Sequence, residues 1–327
     1  MVASTPPASF NAPVRGMVFL SGGLALFTLQ DVIMKDLSGA YAVHEMALIR
    51  CAVALPLIAL MVRFECGWRG FLPLYPKFVI GRAVLGFFSY TCWYMAIAAM
   101  PLADAATLYY SNPLFITALA APLLGEVVGL RRWSAVLVGF AGVLVVMRPG
   151  LVTFEPAMLL ALASSLFYSF SALLTRGASG RVASSTFAFW STLLFAAGSG
   201  LSGLLLGDGA HDTAGGHASL AFLTRAWSVP DWGDLALMAL TGPIAAISFY
   251  AISQGYVLAP ASVVTPFEYS NLPWAVLLGY LLWGDLPDLW TWVGVGLIIG
   301  SGIYIVQREA ARGRRLVRGW PPMRPRL

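Results

Sequence analysis

Charged residues are scarce in this chain of 327 residues: only 11% are Asp, Glu, Lys or Arg, against roughly a quarter in soluble domains. So little charge cannot cover a water-exposed surface, which excludes an ordinary soluble protein. Apolar residues make up 59% of the sequence and form runs near the roughly 20 residues that a membrane-spanning helix needs. The runs lack the alternation of barrel strands. The sequence therefore predicts an all-α membrane protein.

Residues that commonly carry catalysis or bind metals are also few, with three His and three Cys. An odd number of cysteines, mostly in or near apolar runs, does not indicate a disulfide framework. The sequence contains no Walker A, HExxH or Ser-His-Asp arrangement and no basic module for nucleic acid. We therefore expect no cofactor, no metal and no nucleic-acid partner. An integral membrane transferase is the alternative from a different class, although its usual paired carboxylates or His/Asp dyad are not found.

Ten apolar runs predict ten transmembrane helices, with boundaries that carry an error of several residues. The runs lie at residues 16–36, 43–63, 78–99, 102–124, 133–148, 156–175, 184–206, 233–257, 261–283 and 290–307. Most connections are short. The exception is the polar segment 207–231, which we expect to form a mobile loop.

Basic residues are distributed unevenly between the predicted connections. With the N-terminus in the cytoplasm, sixteen of the 20 Lys and Arg residues fall on the cytoplasmic side, and three fall outside. The remaining one, Arg50, lies within a span. The positive-inside rule then predicts cytoplasmic tails at 1–15 and 308–327 in an inner-membrane protein. The basic C-terminal tail is also suited to contact anionic lipid.

One stretch of the chain occurs twice. Residues 101–133 and 260–292 align without a gap and are identical at nine of 33 positions, including a shared Tyr-Ser-Asn. This indicates an internal duplication, which divides the chain into repeats at 16–148 and 156–307. Because each repeat has five spans, the two copies must face opposite ways. Inverted repeats are typical of secondary transporters that work by alternating access.

The repeated stretch also carries polar groups within apolar runs, where they are costly unless they face a cavity or a partner. Glu268 is the clearest case, as a substrate or proton site or else as a structural ion pair. If transport is coupled to protons, Glu268 is the expected proton carrier. The expected substrate-binding residues at the two turns are Tyr109, Tyr110 and Asn112 in the first copy and Glu268, Tyr269 and Asn271 in the second.

Further candidates lie in neighbouring spans. Arg50 cannot discharge, so within a span it needs an acidic partner, carbonyl groups or a substrate anion. Trp93 and Tyr94 belong to an aromatic stretch that serves either packing or stacking against a flat ligand, and Gln254 holds a similar place in span eight. Asp31 and Lys35 have the spacing of a surface pair on one helix.

The two copies, PLADAATLYYSNPLFITALAAPLLGE and APASVVTPFEYSNLPWAVLLGYLLWGD, together with the Arg of LIR in span two, resemble EamA-type repeats of the drug/metabolite transporter superfamily. The resemblance covers about residues 16–307. It implies ten helices, cytoplasmic termini, a cavity between the halves and secondary transport of a small organic solute. The aromatic residues near the site favour a conjugated solute such as riboflavin or S-adenosylmethionine, and an exporter of amino acids or related metabolites is the alternative.

Overall fold

The computed structural model describes residues 12–73, 75–124, 129–150, 154–177, 182–213, 216–258 and 265–311. The regular structure of these residues is helical. The helices are α1 (Ala12–Leu37), α2 (Val43–Cys66), α3 (Pro76–Ala99), α4 (Leu102–Tyr109), α5 (Asn112–Leu124), α6 (Leu130–Met147), α7 (Ala157–Gly177), α8 (Ser184–Leu206), α9 (Ala218–Thr224), α10 (Trp232–Leu258), α11 (Asn271–Trp283) and α12 (Leu289–Ala311). Seven of the described helices are long and apolar enough to cross a membrane.

Two predicted spans are not continuous helices. Residues 110 and 111 form a turn between α4 and α5, so the prediction of an unbroken helix over 102–124 is wrong there. Pro113 lacks the N–H that would bond to the carbonyl of Tyr109 in a continuous helix, and at the turn the hydroxyl of Ser111 donates to the carbonyl of Leu108 (2.7 Å). In the second copy, the 3-10 turn Thr265–Ser270 precedes α11. Both breaks fall at the Tyr-Ser-Asn sequence.

Helix packing follows the duplication. Helix α3 of the first repeat packs against α7 of the second, and their equivalents after exchange of the repeats, α10 of the second and α1 of the first, pack against each other. The helices α2 and α8, which hold the same place in the two repeats, form a pair, as do α6 and α12. Exchanging the two repeats by a twofold rotation leaves this set of helix contacts unchanged.

The two repeat-equivalent helices α6 and α12 run antiparallel. A Cβ atom on Gly139 would lie 2.5 Å from Ser301 Oγ, one on Gly142 would lie 2.8 Å from Leu297 Cβ, and one on Gly294 would lie 2.2 Å from Val146 Cγ2. Positions therefore rise along α6 as they fall along α12. The glycines allow the backbones to approach closely.

The segment 207–231 is not the mobile loop that its polarity predicts. Its helix α9 packs against α3, where Ser219 Oγ donates to the carbonyl of Met95 (2.7 Å). The indole of Trp227 donates to His44 Nδ1, and Arg225 donates to the carbonyl of Ser38 (2.6 Å). Apolar residues within the polar sequence explain the docking, since Phe222 is fully buried in the main core. We call this end of the helix bundle the α9 end.

The expected tails lie mostly outside the described residues. Of the segments 1–15 and 308–327, the structure describes only 12–15 and 308–311. Gly125 and Glu126 of the first copy, and residues 259–264 at the start of the second, are outside them as well.

Candidate substrate cavity

A cavity of about 270 Å³ lies between the two halves of the chain. Its walls come from α1, α2, α3, α4 and α5 of the first half and from α7, α8, α10, Glu268 and α11 of the second. The lining extends from Asp31, in the C-terminal half of α1, to Ile58 of α2 and Arg82 near the start of α3. The cavity thus reaches well away from the α9 end.

Seven of the ten residues expected at the site line this cavity. They are Glu268, Asn271, Tyr109, Tyr110, Asn112, Arg50 and Trp93. The other three take different places. Tyr94 is fully buried behind the wall, Tyr269 is buried with its hydroxyl against Gly302, and Gln254 is half-buried on α10. None of these three belongs to the lining.

Arg50 finds its partners inside the protein. Its Nη1 donates to the hydroxyl of Tyr94 (2.6 Å), which also accepts a hydrogen bond from Gln30 Nε2 (2.8 Å). The guanidinium lies over the rings of Tyr90 and Phe195, with centroids 5.6 and 5.7 Å away. Tyr94 therefore acts behind the wall, where it fixes the position of Arg50.

Asp31 supplies the negative charge nearest to Arg50. The residue is 8% exposed, accepts a hydrogen bond from the Trp93 side chain and interacts electrostatically with Arg50. The expected surface pair with Lys35 is wrong, because Lys35 instead donates to the carbonyl of Met100 (2.6 Å). Spacing alone indicated that Asp31 and Lys35 were two solvated charges. Instead, Asp31 is a buried carboxylate that interacts with the buried Arg50.

The two Tyr-Ser-Asn turns meet at the cavity. The rings of Tyr110 and Tyr269 are 5.3 Å apart, and the Tyr110 hydroxyl hydrogen-bonds to the Asn271 side chain. Each turn is also bound to a helix at its flank. The hydroxyl of Ser111 bonds to that of Ser165 on α7 (3.1 Å), and the hydroxyl of Ser270 donates to that of Ser21 on α1 (3.2 Å). The flanking helices are themselves repeat equivalents.

An aromatic surface continues from these turns. The Trp93 and Tyr109 rings are 5.2 Å apart, and those of Tyr109 and Tyr168 are 5.6 Å apart. Tyr90 extends the surface towards Phe195, at 5.8 Å. Rings in these positions present flat faces and edges to the cavity, which suits a planar conjugated ligand.

Residues 14–148 and residues 155–307 each match the EamA-like transporter family. The chain belongs to this family. It is therefore a transporter and a multi-pass membrane protein, and not an enzyme. Residues of both matched segments line the cavity.

Several curated EamA relatives carry substrate names. The chain is 31% identical over 241 residues to a riboflavin transporter of Rhizobium johnstonii, covering 74% of each chain. It is 29% identical to a riboflavin transporter of Vibrio cholerae, covering 72% of each. An S-adenosylmethionine uptake transporter of Rickettsia bellii is 22% identical, with 70% of this chain and 72% of the relative covered.

A solved crystal structure shares the fold. It superposes with a TM-score of 0.58 at 20% identity, covering 93% of this EamA chain and 99% of the other. The match at so low an identity describes the architecture, and it carries no statement about the solute.

Sequence reasoning missed several lining residues of the EamA cavity. Arg82 was counted among the cytoplasmic charges near the start of span three, yet it lines the cavity beside Ser191. Tyr168 and Ser164 lie in α7, whose small and aromatic residues resemble ordinary helix-packing positions. The order of the spans held a signal for α7, because α1 and α7 are the first helices of their repeats and α1 carries the polar Gln30 and Asp31.

Proposed function

We propose that this chain is a secondary active transporter that moves a small conjugated or aromatic metabolite across an inner membrane by alternating access. The observation that carries the proposal is the cavity itself, where the Tyr-Ser-Asn turns of both halves meet beside the neighbouring rings of Trp93 and Tyr109. Buried polar groups on both sides of an aromatic surface are what a flat solute with polar edges requires.

The proposed substrate-binding residues are those that line this cavity at the turns and on the aromatic surface. Tyr109 and Trp93 offer stacking, while Asn112 and Asn271 offer amide hydrogen bonds. A family resemblance alone leaves the solute open. The curated relatives favour a solute with a conjugated ring, because riboflavin and S-adenosylmethionine both contain a heteroaromatic ring system. Export of amino acids or related metabolites is the second candidate, and the aromatic surface in the lining supports it less well.

Alternating access is supported by the architecture. We propose ten membrane spans in two inverted repeats of five, with boundaries near 16–148 and 156–307. Antiparallel packing of α6 on α12 and the exchange pattern of helix pairs favour this arrangement. Counting α4–α5 and the second copy's broken helix as one span each, and adding α3, the seven long apolar helices become ten.

The two ends of the cavity differ. At the α9 end, residues 217–228 bond to the ends of α1, α2 and α3. In the opposite direction the lining reaches Ile58, which is 14 residues beyond His44 along α2, or about 20 Å at 1.5 Å per residue. The excess of basic residues supports our proposal that this opposite end, and both termini, lie in the cytoplasm. In this orientation, the structure corresponds to the state of a transporter whose cavity extends towards the cytoplasmic side. Glu268 remains our candidate for the proton carrier, since it is a carboxylate in the lining.

Transport in proteoliposomes tests the proposal. Purified protein should accumulate labelled riboflavin or S-adenosylmethionine, and it should not accumulate a panel of amino acids. Trp93→Ala should reduce uptake at least about fivefold, because stacking of a ring is worth about 1–3 kcal/mol. Trp232→Ala is the matched control, since Trp232 is 88% exposed and lies outside the cavity. Uptake of an amino acid alone, or equal loss in both variants, would refute the proposed solute class.

A further inference from the structure

Arg82 lines the cavity but has no part in the function proposed above. Its Nε donates to Thr175 Oγ1 (2.8 Å) and its Nη1 donates to Ser191 Oγ (2.6 Å). The guanidinium also lies over the ring of Phe187, 5.1 Å from its centroid. These contacts hold the group between α3, α7 and α8, where Ser171 and Thr192 complete the same part of the lining.

Among the residues that the structure describes, no acid forms an ion pair with Arg82. Both carboxylates in the lining lie elsewhere, because Asp31 interacts with Arg50 and Glu268 interacts with Tyr109 and Tyr110. Hydroxyl groups satisfy two of its five N–H donors, but a hydroxyl dipole does not neutralise a charge. Since arginine keeps its proton, a counter-charge must come from elsewhere.

Glu268 and Arg82 bring charges of opposite sign to neighbouring aromatic rings. Glu268 interacts electrostatically with Tyr109, and Arg82 with Tyr168. The rings of Tyr109 and Tyr168 are neighbours, with centroids 5.6 Å apart. A flat ligand on these rings therefore has a negative charge near one ring and a positive charge near the other.

We propose that Arg82 recognises an anionic oxygen group, a carboxylate or a phosphate, carried by the planar ring of the transported solute. This inference rests on the proposed function, because the aromatic surface must hold the ring. A guanidinium is suited to the task, since its planar fork matches carboxylate and phosphate oxygens. Glu268 reinforces the orientation by repelling the same group from its own edge of the cavity.

Ring-matched ligands separate charge from stacking. Dissociation constants for riboflavin, riboflavin 5′-phosphate and 8-carboxyriboflavin are measured on the purified protein through quenching of flavin fluorescence. Wild-type protein should bind at least one anionic flavin about tenfold more tightly than riboflavin, which corresponds to about 1.4 kcal/mol. The anionic flavin that binds more tightly shows whether the site prefers a phosphate or a carboxylate. In Arg82→Gln the ratio of neutral to anionic dissociation constants should fall to about one. In Arg82→Lys, which keeps the charge but loses the fork, it should fall part of the way.

Arg63→Gln is the control for the loss of any arginine, because Arg63 is exposed on α2 and outside the lining. Its ratio should equal that of wild type. If riboflavin binds but the wild-type ratio is one, or if Arg82→Gln keeps the wild-type ratio, the anion site is refuted and the proposed function stands. If no flavin binds, the proposed function fails and this inference falls with it. Should Arg82→Gln not fold, the wild-type ratio and that of Arg82→Lys decide the matter.

Discussion

Replacing Gly294 by alanine tests the antiparallel contact between α6 and α12. The new Cβ would lie 2.2 Å from Val146 Cγ2 and 2.9 Å from the carbonyl oxygen of Gly142, whereas carbon atoms in contact prefer about 3.5–4.0 Å. A different rotamer of Val146 relieves the first clash but not the second, since Gly142 contributes backbone. The helices must then separate, and overpacking of this kind costs about 1–3 kcal/mol.

Gly296 provides a control on the same helix. A Cβ atom at Gly296 has no heavy atom within 4 Å, so Gly296→Ala should instead gain up to about 1 kcal/mol of helix propensity. The two variants should shift the thermal unfolding midpoint in opposite directions. At about 2 °C per kcal/mol, we expect them to differ by about 4–8 °C when unfolding of detergent-purified protein is followed by intrinsic fluorescence.

A second substitution checks the cause. Val146→Ala should recover part of the loss in the Gly294→Ala background, because it removes the nearer of the two clashes, and the double variant should deviate from additivity. Equal midpoints for Gly294→Ala and Gly296→Ala, or strictly additive effects with Val146→Ala, would show that these helices do not meet at Gly294. The inverted copies would then lack their most direct structural support.

Three further results are expected. Asp31→Asn should lower stability by about 3 kcal/mol, because it leaves Arg50 buried beside an amide; adding Arg50→Gln should restore part of the loss, and plain additivity would disprove the pairing. Trp227→Ala should raise hydrogen–deuterium exchange across 216–228, since the bond and ring contact with His44 are lost; unchanged protection would contradict the docking of this segment. Glu268→Gln should retain solute exchange but abolish accumulation driven by an imposed pH gradient, and a preserved response to the gradient would remove Glu268 as the proton carrier.

The sequence was sufficient to predict the features that occur in both copies of the repeated stretch. The duplicated Tyr-Ser-Asn stretch identified the two turns that meet at the cavity, because two unlike apolar contexts do not share Pro, Tyr, Ser and Asn at one offset by accident. The same stretch concealed the helix breaks. Apolar composition predicts a span whether or not the backbone is continuous, and only the consequences of Pro113 and the 3-10 turn Thr265–Ser270 show the interruption.

Charged residues were harder to place from the sequence. Spacing predicted that Asp31 would pair with Lys35, but the rotation of α1 against α3 turns Asp31 towards Trp93 and Arg50. The same difficulty applies to Arg82. A charged residue near the start of a span is expected at the membrane–water interface, and only the neighbouring helices show that Arg82 lines the cavity. The direction in which a side chain points around its helix axis depends on packing partners that are distant in sequence. Spacing within one helix therefore does not predict it.

Two identical inverted copies would make the two conformations of a carrier equal in free energy. The segment 207–231 removes that equality, because its contacts exist at one end only. Three hydrogen bonds from Ser219, Arg225 and Trp227, at about 1 kcal/mol each, favour closure of that end by a factor on the order of a hundred. If the proposed alternating-access mechanism holds, the resting population is therefore skewed towards closure of that end, and a solute that arrives from the covered side binds only after these contacts break.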